Sequence, residues 1–199
     1  MLGPKAQISI PLDIPNVDVQ SMRINHQGDY IITIENREET VMCGVCDRKI
    51  NCNYGHGERI RLRHLPILGQ KTYVDLYPKR GQCPICLHSP TTTQRVSWYR
   101  QRSGQTQAYE KYLMKQLIGS NVADVSLKEQ IGYDAVLGVL QRQVPESIEW
   151  DKIDNLGTIG IDEVATRKGH KGYKAIITAR QDDGTVHILS VLKDRKKTV

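Results

Sequence analysis

Apolar and polar positions alternate in the first half of the chain, where they predict β-strands. Residues 59–63 read RIRLR, with basic and apolar side chains in turn, which is the period-two pattern of a half-buried strand. Residues 72–76 continue this β-rich pattern. We therefore predict a β-hairpin in this part of the chain.

From residue 105 onward the apolar positions take the spacing of helices. Four of them fall at i, i+3, i+4 and i+8 and form one stripe: Tyr109, Tyr112, Leu113 and Leu117. Gly119 is a suitable stop for this helix, and Ser120 or Asn121 is a suitable cap for the next one. The residues that this second helix would direct inward are Val122, Val125 and Leu127.

A third helix is predicted over residues 133–143, before Pro145. Its buried residues would be Val136, Val139 and Leu140. Three short helices with a tight turn before the last are typical of a helix-turn-helix, and an ordinary helical bundle or an interdomain linker has the same pattern. In the DNA-binding interpretation, the side chains that project toward the duplex are Tyr133, Asp134, Leu137 and Arg142.

The last part of the chain returns to strands. Residues 156–161, 173–179 and 186–192 predict a three-stranded antiparallel meander. Asp162 would end its first strand, where a carboxylate can hold a hard cation such as Mg²⁺. A solvated acidic residue at a strand end gives the same pattern, so the position alone does not identify a metal site.

Basic charge is concentrated in one block of the chain. The 199 residues carry a net charge of +6. Residues 1–42 have three basic and six acidic side chains, residues 43–116 have thirteen and four, and residues 117–199 have twelve of each. Such a block is typical of a surface that binds a polyanion, and also of a solvated face without a partner. With no apolar run of roughly 18 residues and no secretory signal, we expect a cytoplasmic location without membrane contact.

Four of the five cysteines form two C-x2-C pairs, Cys43 with Cys46 and Cys83 with Cys86. A two-residue spacer lets both thiolates of a tight turn bind one tetrahedral ion at about 2.3 Å. The 36 residues between the pairs exceed the spacing of a short zinc finger, and they contain the predicted hairpin. We therefore predict a structural Zn²⁺ site in a zinc-ribbon-like β module.

The same cysteines could serve other chemistry. Disulfides are disfavoured in a cytoplasmic chain, and a thioredoxin-like redox pair would need a single C-x-x-C beside a βαβ unit. Iron stays an alternative because a site with four sulfur ligands accepts either metal. His56, His64 and His88 could replace a ligand, although four cysteines already fill a tetrahedral shell. Cys52 has no assigned role.

In this order the elements resemble the ISL-three family of bacterial insertion-sequence transposases over nearly the whole chain. The segments CGVC and CPIC, with the hairpin between them, are similar to the family's zinc-binding domain, and VSLKEQIGYDAVLGVLQ is similar to its helix-turn-helix. The sequence departs from the family at Gln130, which stands where the turn usually has glycine. The segment that begins IGIDE and continues to RKGH is similar to the opening of the catalytic domain and is the most specific part.

The resemblance implies an α+β chain built from several modules. These are an N-terminal β segment (1–42), a zinc-binding ribbon-like domain (43–90), a three-helix helix-turn-helix (105–145) and an incomplete RNase H-like three-stranded sheet (150–199). Asp162 matches the first acid of the family's DDE triad, whose three acids bind two divalent metal ions. The second Asp and the Glu would follow Val199, and Asp194 lies too close to the third strand to be the second acid. Mg²⁺ is therefore expected only if the missing acids are supplied.

The resemblance also implies a function, which is binding of double-stranded DNA at the terminal inverted repeats of an insertion sequence, without strand cleavage by this chain alone. The basic side chains expected to contact phosphate are Arg59, Arg61, Arg63, Lys79, Arg80, Arg95, Arg100 and Arg102. A second copy of the chain or a downstream transposase half would be its protein partner. The alternatives are a stand-alone zinc-dependent DNA-binding remnant, an inhibitor of an intact transposase, and a thiolate–iron redox protein.

Overall fold

A computed structural model of the chain describes residues 11–144, 148, 150–153, 155–167 and 171–192. The mixed α+β prediction is confirmed, since these residues form three α-helices, a four-stranded sheet, a three-stranded sheet and two two-stranded sheets. The chain divides into two compact units, residues 1–140 and residues 141–199. Within the part of the chain described, no helix has the length and apolar character needed to cross a membrane.

Eight strands precede the helices. They are β1 (Val17–Ile24), β2 (Tyr30–Asn36), β3 (Thr40–Met42), β4 (Lys49–Asn51), β5 (Ile60–Ile67), β6 (Gln70–Leu76), β7 (Arg80–Gln82) and β8 (Thr91–Thr93). The helices are α1 (Gln107–Leu117), α2 (Val122–Glu129) and α3 (Tyr133–Gln143).

The predicted hairpin is present as β5 and β6, and it is part of a larger sheet. The strand order is β1-β2-β6-β5, with β2 and β6 parallel and the other pairs antiparallel. Apolar side chains from β2, β5 and β6 form its core together with an aromatic ring from the segment before α1: Ile32, Ile34, Leu62, Ile67, Val74, Leu76 and Trp98. The N-terminal strands and the hairpin therefore fold as one sheet, although the sequence assigned them to separate modules.

Strand β5 is joined to α1 through buried polar side chains. The guanidinium carbon of Arg63 lies 5.2 Å from the ring centroid of Tyr73 and 5.4 Å from that of Tyr109, so the charge is held between two aromatic rings. His64 Nδ1 is 2.9 Å from the hydroxyl of Thr106, which caps the first turn of α1. The sheet and α1 are consequently packed directly against each other.

The buried imidazole of His64 should make the free energy of unfolding depend on pH. Burial lowers its pKa below the usual 6.5, and a hydrogen bond with the backbone of Leu12 opposes this only in part. The unfolded chain therefore takes up a proton that the folded chain excludes, and stability falls as the pH drops below about 6.5. We expect a loss of at most about 1 kcal/mol between about pH 6.5 and about pH 5.5.

Urea unfolding at the two pH values, with zinc at a fixed concentration, measures this effect. His64→Asn keeps a polar atom near Thr106 but cannot titrate, so its pH slope should be shallower than that of the wild type. The matched control is His26→Asn at an exposed position, which should keep the wild-type slope. Equal slopes for His64→Asn and the wild type would contradict the prediction.

The three helices enclose a second core. Its buried residues are Tyr109, Leu113, Val125, Val136 and Val139. The predicted stripe on the first helix is confirmed, and Asn121 caps α2 by accepting a hydrogen bond from the amide of Asp124. Leu140, predicted to be buried, is only partly so.

The prediction that Leu127 points inward is wrong. Its side chain is 80% exposed. Val125 occupies the inward face of α2, and a residue two positions further on lies roughly 200° around the helix from it. The residue of the last turn that does reach α1 is Glu129, whose carboxylate accepts hydrogen bonds from the hydroxyls of Tyr109 at 3.0 Å and Tyr112 at 2.9 Å.

Gln130 ends α2 in the left-handed backbone conformation, with φ of 52° and ψ of 50°. Glycine adopts this conformation without the steric cost that a Cβ atom brings. We expect Gln130→Gly to raise the free energy of unfolding by up to about 1 kcal/mol. Thermal unfolding would measure it, with Gln141→Gly as the control, because the same substitution within α3 should destabilise by about 1 kcal/mol. A destabilised Gln130→Gly variant would contradict the expectation.

The second unit contains the predicted antiparallel meander. Its strands are β9 (Thr158–Arg167), β10 (Lys171–Arg180) and β11 (Val186–Leu192), with β10 in the centre. The prediction that the first strand ends at Asp162 is wrong. The pairing with β10 continues past it, with Asp162 opposite Ile176 and the ladder extending to Arg167. Pro145, Asp194 and the KGH part of the RKGH motif lie outside the described residues.

Candidate metal centre

Each cysteine pair lies in the turn of a short hairpin. The first pair is between β3 and β4, where the amide of Cys43 donates to the carbonyl of Arg48 and the amide of Asp47 donates to the carbonyl of Cys43. The second pair is between β7 and β8, where the amide of Cys83 donates to the carbonyl of Pro90. These backbone bonds close each turn, so the two thiols of a pair point to the same side.

The two turns bring all four thiols together. The sulfur atoms of Cys43 and Cys86 are 3.9 Å apart, those of Cys46 and Cys83 are 3.8 Å apart, and all four lie within 4.8 Å of one another. Four sulfurs at about 2.3 Å from a tetrahedral ion would be separated by about 3.8 Å. Cys43 and Cys83 are fully buried, and Cys46 and Cys86 are partly buried. The prediction that these four cysteines come together closely enough to hold one metal ion is confirmed, and their spacing is compatible with structural zinc.

Backbone amides prepare two of the thiols to bind a cation. Hydrogen bonds from the amides of Ile85 and Cys86 lower the pKa of Cys83 to about 6, and hydrogen bonds from the amides of Cys46 and Val45 lower the pKa of Cys43. The opposite holds for Cys86, where the contact with the Cys46 thiol and burial raise the pKa to about 12. Four neighbouring thiolates repel one another, so a bound cation is what would let all four ionise together.

Gly81 allows the two hairpins to approach. A Cβ atom at this position in β7 would lie 2.8 Å from the carbonyl oxygen of Asn51 in β4 and 2.8 Å from a methyl carbon of Val41. Both distances are shorter than Cβ atoms tolerate, and one of the atoms is backbone. The absence of a side chain at Gly81 therefore sets the distance between the two cysteine turns.

The other candidate ligands do not join the cluster. Within the described residues, Cys43, Cys46, Cys83 and Cys86 form the one group of three or more side chains close enough to hold a metal ion. Cys52 is outside it, and burial raises the pKa of its thiol. His56, His64 and His88 are also outside it. The shell is thus closed by four thiols, as in structural rather than catalytic metal sites.

Three of the basic side chains predicted to contact phosphate are engaged within the fold. Arg63 is buried between two tyrosines, and Lys79 is buried against the carboxylates of Glu35 and Glu39. Arg61 makes a two-pronged salt bridge with Asp75, with N–O distances of 2.7 and 2.8 Å. Arg63 and Lys79 therefore leave the set of DNA-contact candidates, and the charge of Arg61 is already neutralised.

The remaining predicted basic residues have more accessible positions. Arg59, Arg95 and Arg102 are exposed. Arg80 is partly buried, stacks over Tyr54 and donates to the hydroxyl of Thr91, while Arg100 is half exposed with its Nε 3.8 Å from Glu110. These five residues belong to different segments of the first unit, and Arg95 lines a groove together with Cys43. In α3, Tyr133, Asp134 and Arg142 are exposed and Leu137 is partly buried.

Asp162 is exposed in the middle of β9 and accepts a hydrogen bond from the amide of Glu163. Among the residues that the structure describes, it belongs to no group of three or more potential metal ligands.

No family model, curated protein or solved structure matches the chain. The metal centre is therefore interpreted from its own geometry.

Sequence reasoning missed two kinds of residue at this site. Gly81 was missed because the backbone that approaches it belongs to Asn51, about thirty residues earlier in the chain, and the residues around a glycine do not reveal such a distant contact. Arg48 and Lys49 were missed because they follow the first cysteine turn directly and belong to no periodic pattern, although both are exposed beside the metal cluster. An adjacent basic pair at the point where a C-x2-C turn enters a strand is the signal that could have identified them.

Proposed function

We propose that the chain binds duplex DNA through a zinc-stabilised β module and the three-helix segment, as the DNA-recognising front part of an insertion-sequence transposase of the ISL-three type. The observation that carries the proposal is the tetrahedral spacing of four thiols inside the one strongly basic block of the chain. A closed four-thiolate shell stabilises a fold and leaves no open position for a substrate. Such a module presents a surface, and a basic surface favours a polyanion.

The helices add a second surface of the same kind. A residue in left-handed conformation at Gln130 separates α2 from α3, as a short turn between two packed helices requires. The side chains of Tyr133, Asp134 and Arg142 are exposed along α3, which would be the recognition helix. We assign no strand-transfer chemistry to Asp162, because in the described part of the chain it belongs to no group of three or more potential metal ligands.

The test is fluorescence anisotropy of a labelled duplex with the zinc-loaded full chain between about 50 and about 200 mM salt. Binding should weaken linearly on a log–log plot, with a slope of about −0.9 for each phosphate contacted. Selection from a random duplex library should then enrich a common sequence, which can be compared with terminal inverted repeats. Absence of binding at about 50 mM salt, or equal binding after zinc removal, would contradict the proposal.

A further inference from the structure

A groove with a volume of about 560 Å³ runs beside the metal cluster. Side chains from the first cysteine hairpin line one side, and side chains from the second line the other. The polar residues among them are Arg48, Lys49, Asn51, Asn53, Gln82 and Ser89. Because each wall belongs to a different cysteine hairpin, the ion that joins the hairpins would also hold the groove open.

The groove carries two positive side chains that make no ion pair with a carboxylate in the described part of the chain. Arg48 and Lys49 are exposed, and neither forms an ion pair with any residue that the structure describes. No acidic side chain lines the groove. Lys49 also borders a second groove, where Asp47 and Glu38 are among the lining residues, so Arg48 is the cation that faces this groove alone. Two other cations differ in this respect. Arg61 in β5 pairs with Asp75, and Lys79, which follows β6, pairs with Glu35 and Glu39.

Amide side chains give the groove both hydrogen-bond donors and hydrogen-bond acceptors. Asn51 and Asn53 are exposed, and in the described structure their side chains have no hydrogen-bond partner. Gln82 donates to the carbonyl of Ser89 at 3.2 Å, which fixes its amide at the groove wall. Asparagine and glutamine amides offer a donor and an acceptor side by side, the combination that matches the edge of adenine in the major groove. The exposed Ile85 at the rim adds an apolar contact.

We propose that this groove is the DNA-contacting surface of the metal module. Arg48 and Lys49 bind backbone phosphates, and Asn51 and Asn53 contact base edges. The inference rests on the proposed DNA-binding function. It assigns the DNA contacts to residues other than the arginines of the β5–β6 hairpin. Phosphate contacts by the two cations set register and affinity, whereas the amides contribute sequence preference.

The experiment compares two double variants of the zinc-loaded full chain on the same duplex. Arg48→Gln/Lys49→Gln removes both cations of the groove, and Arg23→Gln/Lys71→Gln removes two positive charges elsewhere in the first unit. The groove variant should lower the magnitude of the log–log salt slope by about 2, and the control should leave it near the wild-type value. Zinc content of both variants is measured first, so that a misfolded protein is recognised.

A third variant tests base contacts. Asn51→Ala/Asn53→Ala should keep the wild-type salt slope and reduce the preference for the selected sequence over random duplex by about tenfold. An unchanged slope in the groove variant, with wild-type protein that binds DNA, overturns the groove assignment and leaves the proposed function standing. A wild-type chain that fails to bind DNA ends the proposed function and the groove assignment together. Equal competition by duplex RNA would overturn the assignment to DNA.

Discussion

Replacing Cys83 with serine is expected to remove the metal and unfold the module that the two cysteine hairpins form. The serine hydroxyl is not a thiolate at neutral pH, and the three remaining sulfurs would hold zinc far more weakly. Structural zinc contributes an apparent free energy of about 10–16 kcal/mol in zinc-finger peptides, which exceeds the whole stability of many domains. We therefore expect metal content to fall from about one ion per chain to near zero, with a large decrease in Tm.

Elemental analysis of purified protein and thermal unfolding measure the two effects. Cys52→Ser is the matched control, because it removes a thiol that lies outside the cluster, and it should keep its metal and its Tm. The same analysis identifies the ion, since iron bound by thiolates absorbs visible light and zinc does not. A Cys83→Ser variant that retains one tightly bound ion would contradict the assignment of the ligands.

The second large effect is expected for Gly81→Ala. The added methyl group would overlap the carbonyl oxygen of Asn51 and the side chain of Val41, each 2.8 Å from its carbon. A backbone atom cannot rotate away as a flexible side chain can, so β7 and β4 must separate. Overpacking of this kind costs about 1–3 kcal/mol, and separation of the hairpins would also widen the spacing of the thiols.

Zinc affinity by competition with a chelator, together with urea unfolding, would measure both consequences. Gly104→Ala provides the control, because a Cβ atom there meets no atom within 4 Å and the backbone is not left-handed. We expect the control to match the wild type in both measurements. If Gly81→Ala kept the stability and zinc affinity of the wild type, the predicted overlap with Asn51 and Val41 would be contradicted.

Local features were predicted well from the sequence because each depends on residues close together in the chain. The two-residue spacer of the cysteine pairs, the cap at Asn121 and the apolar stripe of α1 are all of this kind. Gln130 is an exception, since it adopts a left-handed conformation that the residue type does not favour.

Features that depend on distant neighbours were not predicted. Alternation identifies β2 and β6 as strands, but it carries no information on which strand pairs with which, and their parallel pairing joins residues about forty positions apart. The same limit explains Arg63, whose position in RIRLR suggested exposure. Its outer face is covered by α1, which begins more than forty residues later. Asp162 was misplaced because the continuation of β9 depends on β10.

The placement of the ligands around the hairpin has a consequence for how the chain folds. One cysteine pair precedes β5 and the other follows β6, so a bound ion ties the 36 intervening residues into a ring. Closing a ring of this size reduces the conformational freedom of the unfolded chain by an amount equivalent to about 4 kcal/mol. If the ion binds early in folding, fewer conformations of the chain remain to be sampled before β6 pairs with β2. We therefore expect the availability of metal during synthesis to affect the rate of folding as well as the stability of the folded chain.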